Sequence, residues 1–200
     1  MTETSKERIF VDQANPQRWL LVADNLHVQA TEGWNRFGGG RIAMVDGQAR
    51  LVGEWDDVNR TVFLLCGFAL ENVLKAYLVF ENPNWISNGK LARELRSHHL
   101  GQLAQRSALV PSSAGSPEIL ERFEAGLESW ARYPCGLSVF DTEPEGVLSA
   151  NDWHAYAALM RLYGQRLCEL LSEKLWKGPH GFEGRWTFDG EFLGAAVRFQ

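Results

Sequence analysis

Residues 93–99 read Arg-Glu-Leu-Arg-Ser-His-His and put two guanidinium groups and two imidazoles into one short stretch. Histidine can take up and return a proton near neutral pH, and arginine offers a fixed planar cation for a phosphate. Metal-free cleavage of RNA asks little more of a protein: one group to move the 2′-hydroxyl or leaving-group proton, and one cation to hold the phosphate. Arg93 precedes His98 with four residues between them, and His99 with five. Two other readings compete. One is phosphate binding without turnover. The other, which we favour on the residues alone, is structural, with one imidazole hydrogen-bonded inside the fold and the arginines solvated. In a helix His98 and His99 point about 100° apart and should not both face one groove.

Such residues need a scaffold, and the segment best suited to supply it is 61–80, TVFLLCGFALENVLKAYLVF. Wound as a helix it is apolar almost all the way round, which belongs in the middle of a bundle. Glu71, Asn72 and Lys75 interrupt it, and Glu71 and Lys75 share one face. Three central polar residues are costly in lipid, so the segment reads as a core helix and not as a membrane span. Glu71 four residues before Lys75 is the favoured order for a helical ion pair. If the protein acts on RNA, Glu71 and Lys75 should approach Arg93 and His98 from this neighbouring helix as orienting groups, around a groove shared with Arg96 and His99.

The chain has 200 residues, 45% hydrophobic and 22% charged, enough for one good core. A net charge of −5 argues against a general nucleic-acid coating protein but allows a local basic patch. The stretch 90–109 is the place for one, with Lys90, Arg93, Arg96 and Arg106 against Glu94. Cys66, Cys135 and Cys168 are odd in number and widely spaced, with neither a CxxC pair nor a histidine cluster. We therefore expect no metal ion, no cofactor and no disulfide framework. The first 17 residues lack the apolar stretch of a signal peptide, so a cytoplasmic protein without a membrane attachment is expected.

Along the chain, residues 1–14 read as a loose arm. Asn15-Pro16 then starts a helix over about 16–34, with Trp19, Leu20, Ala23, Leu26, Ala30 and Trp34 on one stripe and His27 packed beside it. The glycines at 38–40 form a connection, and 41–55 is either an extension of that helix or an irregular piece. The core helix begins near the acidic residues 54–57 and ends at Glu81-Asn82-Pro83, before a loop carrying Trp85. Residues 90–109 are expected to be helical. A Pro/Ser/Gly linker follows, then a helix with the stripe Leu120, Phe123, Leu127 and Trp130, stopped by Pro134. After a long loop, Ser149 and Asp152 open the last helix as a capping box. Its seam of Trp153, Tyr156, Met160, Tyr163, Leu167 and Leu170 fits a bundle neighbour or a second subunit. Beyond Gly178 the period changes to two, and Asp189-Gly190 reads as the turn of a hairpin.

The fold expected is thus all-α, an up-and-down bundle of about five helices over 1–177, with a β-hairpin-like tail over 178–200 docked on the bundle or on a partner. A bundle whose second helix carries Ala69-Leu-Glu71-Asn-Val-Leu-Lys75-Ala, followed by Ser97-His98-His99-Leu100, resembles the HEPN superfamily of small α-helical domains. The stretch Trp-Ala-Arg132-Tyr-Pro before the last helix is similar to bacterial members. The resemblance spans about 16–177. It implies frequent homodimerisation and one of two roles. The first is a binding or regulatory module that recognises a nucleotide or RNA. The second is a metal-independent ribonuclease of a toxin–antitoxin or defence system, with an antitoxin protein as partner and an Arg-x4–6-His motif that Arg93 and His98 would supply. Arg96, His99, Glu71, Lys75 and Arg132 would then be binding residues.

Overall fold

The structure is a computed structural model that describes residues 3–36, 41–56, 58–128, 131–132, 138 and 148–198. The glycine run at 38–40, Trp130, Pro134, Cys135 and most of the long loop before Ser149 lie outside the described residues, as does Phe199.

Helices α1 (Glu3–Ala14) and α2 (Pro16–Asn35) are followed by a hairpin of β1 (Arg41–Val45) and β2 (Leu51–Asp56). Next come α3 (Val58–Glu81), the short α4 (Leu100–Gln105), α5 (Ser116–Glu128) and α6 (Ala150–Glu173). The tail holds β3 (Trp176–Lys177) paired with β4 (Glu183–Gly184), and β5 (Asp189–Phe192) paired with β6 (Ala195–Arg198). The expected mainly-α bundle with a C-terminal hairpin is what the chain adopts.

Helix α3 is the axis of the fold because no other segment can be buried on every side. It packs against α2, α4, α5 and α6. Part of it, Arg60–Glu81, is long and apolar enough to cross a membrane by composition, but 78% of its apolar window is buried within the bundle. Glycines permit two of its closest approaches. A Cβ on Gly67 would meet the Leu127 side chain at 2.8 Å, and one on Gly126 would run into the Phe63 ring. Phe63 instead stacks on Phe123 at 4.4 Å. Helix α2 opens as its sequence dictates, with the Asn15 side chain accepting from Arg18 N–H at 3.1 Å and Pro16 in the first turn. The capping box of α6 is formed in both directions between Ser149 and Asp152.

Several expectations are corrected. The first 14 residues do not form a loose arm. From Glu3 they are helical, with Val11 and Ala14 buried and Glu7 near His180 of the tail at 3.7 Å. Residues 41–56 are neither helix nor irregular but an antiparallel hairpin with a bulge at Met44/Val45. Its turn is held by Asp46, whose Oδ1 accepts from the backbone N–H of Gln48 and Arg50. Ile42, Met44, Val45, Leu51 and Val52 are all exposed, on both faces of the ribbon, so no inward apolar, outward polar alternation marks these residues in the sequence.

The stretch 90–109 is not one helix. A single 3-10 turn, Arg93–Arg96, precedes an extended Ser97, and His99 leads into α4. Competing partners take the backbone groups a helix would use. The Arg96 guanidinium donates twice to the Leu91 carbonyl, at 2.9 and 3.1 Å, and Ala92 N–H donates to the Trp85 carbonyl. Buried Leu95 anchors the turn.

In the tail, Asp189-Gly190 lies at the start of β5, and the two-residue turn is Leu193-Gly194, both with positive φ. Leucine enters that conformation here because its N–H donates to Asp24 Oδ1 at 2.8 Å and its side chain is fully buried. The tail docks on its own bundle. Trp176 Nε1 donates to the Phe80 carbonyl, Trp186 N–H to Leu171, and Arg161 Nε to Gly194. Trp153, Tyr156 and Tyr163 are buried within the same chain, so the seam of α6 is filled without a second subunit.

Candidate functional site

Glu71 is 6% exposed on α3, and both of its oxygens are engaged. Oε1 accepts from Lys75 Nζ at 2.6 Å and Oε2 faces His98 Nδ1 at 2.8 Å. The i,i+4 spacing places Lys75 beside the carboxylate, and Lys75, itself buried, lies 5.7 Å from the centre of the Trp19 ring. A neutral His98 in this arrangement donates its Nδ1 proton to the carboxylate, which makes Nε2 the acceptor nitrogen. The His98 side chain is 59% exposed, so this order runs from a buried ammonium to a solvent-facing imidazole.

That imidazole stands in a cleft of about 690 Å³. The cleft is walled by α3 and α5 and crossed by the 93–99 segment, and its lining includes Arg93, Arg96, His98, His99, Arg106 and Arg132. Three glutamates, Glu71, Glu94 and Glu128, also reach it. The lining sets four arginines against three carboxylates, and behind it Lys75 is matched by Glu124, before any histidine is protonated. A chain of net charge −5 thus carries a locally positive concavity.

Of the residues singled out from sequence, Arg93, Arg96, His98, His99, Glu71 and Arg132 line this one cleft, and Lys75 supports it from behind. The expectation that His98 and His99 must diverge is corrected. The 100° rule holds only within a helix, and 97–99 is not helical. Arg93 and His98 likewise do not share the helix expected over 90–109 but lie on a 3-10 turn and the segment after it. Arg96 is braced by the Leu91 carbonyl, and Arg132 lies 6.0 Å from the centre of the Phe68 ring.

Sequence reasoning counted Arg106 only as part of a basic stretch and missed Gln102, Glu124 and Glu128. Arg106 donates to the Glu94 carbonyl at 3.2 Å, a contact that exists only because the chain reverses between them. Glu124 and Glu128 had a usable signal, since they are one turn apart on α5 and off its apolar stripe. His99 Nδ1 lies 3.1 Å from an oxygen of each.

His27 is a packed core residue. It is 7% exposed, its Nδ1 is 2.9 Å from the Tyr156 hydroxyl, and burial lowers its pKa to about 4. Cys66 and Cys168 are buried free thiols, and burial pushes that of Cys168 up to about 12. Neither is a nucleophile near neutral pH.

No protein-family model matches the chain, and comparison with curated proteins and with solved structures returns no match.

Proposed function

We propose that the chain is a HEPN-like binding and regulatory module whose cleft takes a phosphate-bearing ligand, a nucleotide or a segment of RNA. The observation that carries this reading is the convergence of Arg93, Arg96, Arg106 and Arg132 on one concave site. Three separate segments contribute to it: the 3-10 turn, the end of α4 and the chain beyond α5. Converging like charges repel one another, so such a cluster is stabilised by an anion that all of them can reach. Arginine suits phosphate because its planar fork donates two parallel hydrogen bonds.

The test is fluorescence anisotropy with a labelled single-stranded oligoribonucleotide, with ATP as competitor. We expect saturable binding that weakens as salt rises and is lost at least tenfold in Arg93→Gln/Arg132→Gln. An anisotropy unchanged at low salt, or a double variant that binds as well as the parent, overturns the reading.

The pairing of Glu71 with His98 favours a second reading, metal-independent RNA cleavage. His98 Nε2 would take the 2′-hydroxyl proton, and the alkoxide would attack the adjacent phosphorus. The P–O5′ bond would break to leave a 2′,3′-cyclic phosphate, and the proton would pass to the departing 5′-oxygen. Arg93 and its neighbours would hold the charge of the phosphoryl oxygens. Incubation of RNA with the protein in EDTA separates the two readings: cleavage abolished by His98→Ala supports the second, and intact RNA leaves the first. If two copies pair, or an antitoxin protein binds, the contact lies outside the buried α6 seam.

A further inference from the structure

Glu124 and Glu128 are one turn apart on α5, beside the stripe of Leu120, Phe123 and Leu127 that enters the core. His99, from the residue that leads into α4, places Nδ1 at 3.1 Å from Oε1 of each, and the three atoms lie within 4.8 Å of one another. Hydrogen bonding accounts for only part of this arrangement, the contact of Nδ1 with Glu124. A ring nitrogen carries at most one hydrogen, so Nδ1 cannot serve two carboxylates fully, and two carboxylates drawn to one point repel each other. A cation that accepts the Nδ1 lone pair and one oxygen from each glutamate resolves both difficulties.

The geometry points to a binding site for a divalent transition-metal ion of the zinc class, held by His99 Nδ1 and one oxygen each of Glu124 and Glu128. Zinc binds histidine nitrogen and carboxylate oxygen at about 2.0–2.2 Å, which sets tetrahedral ligand atoms roughly 3.4 Å apart. The two 3.1 Å separations from Nδ1 are near that, and the third, between the carboxylate oxygens, is within 4.8 Å. One imidazole with two carboxylates favours zinc, cobalt or manganese over calcium and magnesium, which prefer all-oxygen shells. Glu124 is also oriented from behind, since its other oxygen accepts from Gly101 N–H at 3.0 Å. Such support is what metal-ligating carboxylates usually have. His99 and Glu128 both line the cleft, so the remaining coordination positions open toward it. The site departs from the expectation of a protein without metal, because its ligands come from segments 25 residues apart and leave no spacing motif. It does not depend on what the cleft binds.

The experiment uses the full chain, stripped with EDTA and dialysed. Zn²⁺ is titrated by calorimetry, and Co²⁺ is added separately while its visible absorption is followed. The comparison is Glu124→Gln/Glu128→Gln, whose amide oxygens keep an acceptor for Gly101 N–H. The thermal midpoint of the metal-free variant checks that it folds. We expect one Zn²⁺ per wild-type chain, a Co²⁺ spectrum of low-symmetry coordination, and binding at least tenfold weaker in the folded variant. Absence of saturable Zn²⁺ binding, or equal binding by wild type and variant, overturns the assignment, the latter by placing the ion elsewhere.

Discussion

Glu71 and His98 are 27 residues apart in the chain, yet Oε2 of one and Nδ1 of the other are 2.8 Å apart. The carboxylate is shared, because its second oxygen holds the buried Lys75 ammonium. One residue therefore neutralises a core charge and aims a surface imidazole into the cleft.

This sharing makes the two members unequal to mutation. Glu71→Gln leaves Lys75 buried without a full counter-charge and should lower stability by about 3 kcal/mol. His98→Ala removes an exposed ring and should cost at most about 1 kcal/mol. Glu71→Leu/Lys75→Met, which removes both charges, should recover most of the loss. Urea unfolding of the four proteins decides it, and equal destabilisation by all three variants would contradict the ranking.

Phosphate binding should show its arginines in the salt dependence. Each of Arg93→Gln, Arg96→Gln and Arg132→Gln should reduce the slope of log K against log salt for single-stranded RNA by about 0.7, the release expected for one lost phosphate contact. Slopes that stay at the wild-type value would show that these side chains do not touch the backbone phosphates.

Acid should destabilise the fold through His27. Its folded pKa of about 4 is depressed by burial from an ordinary value near 6.5. Between those values the unfolded chain binds a proton that the folded chain refuses, so stability rises with pH there. The contribution is intact above about pH 6.5 and is lost progressively as pH falls toward 4, by up to roughly 3 kcal/mol. His27→Gln should flatten that part of the stability profile, and an unchanged slope would point to other groups.

Tail docking can be tested at Gly164. A Cβ there would stand 2.8 Å from the Phe192 carbonyl and from Leu193 Cβ, atoms of a backbone turn that cannot swing away. Gly164→Ala should cost about 1–3 kcal/mol and make the chain beyond Trp176 more susceptible to protease. Gly47→Ala, with nothing within 4 Å, is the control and should be neutral.

Local pattern was enough for α2, α3, α5 and α6, because each carries its own apolar residues and its own start or stop signal: Asn15-Pro16, Asn82-Pro83 after α3, Ser116-Pro117 and the Ser149/Asp152 box, whereas the acidic Glu54 and Asp56, read as the approach to α3, belong to β2. It was enough as well to single out the chemistry-bearing types on 93–99 and the Glu71/Lys75 pair, since i,i+4 spacing is a local property. Tertiary structure alone decided the rest. Ile42, Met44, Val45, Leu51 and Val52 of the β1–β2 ribbon are all exposed, so they leave no inside–outside period to read. Residues 90–99 forgo a helix because Trp85, Leu91 and the core pocket for Leu95 offer them other partners. Leu193, not Gly190, makes the tail turn because Asp24, 169 residues away, holds its N–H. The cleft belongs to this second class too. Arg106, Arg132, Glu124 and Glu128 meet His98 and His99 only through the packing of α4 and α5 on α3, and proximity of that kind leaves no periodic trace along the chain.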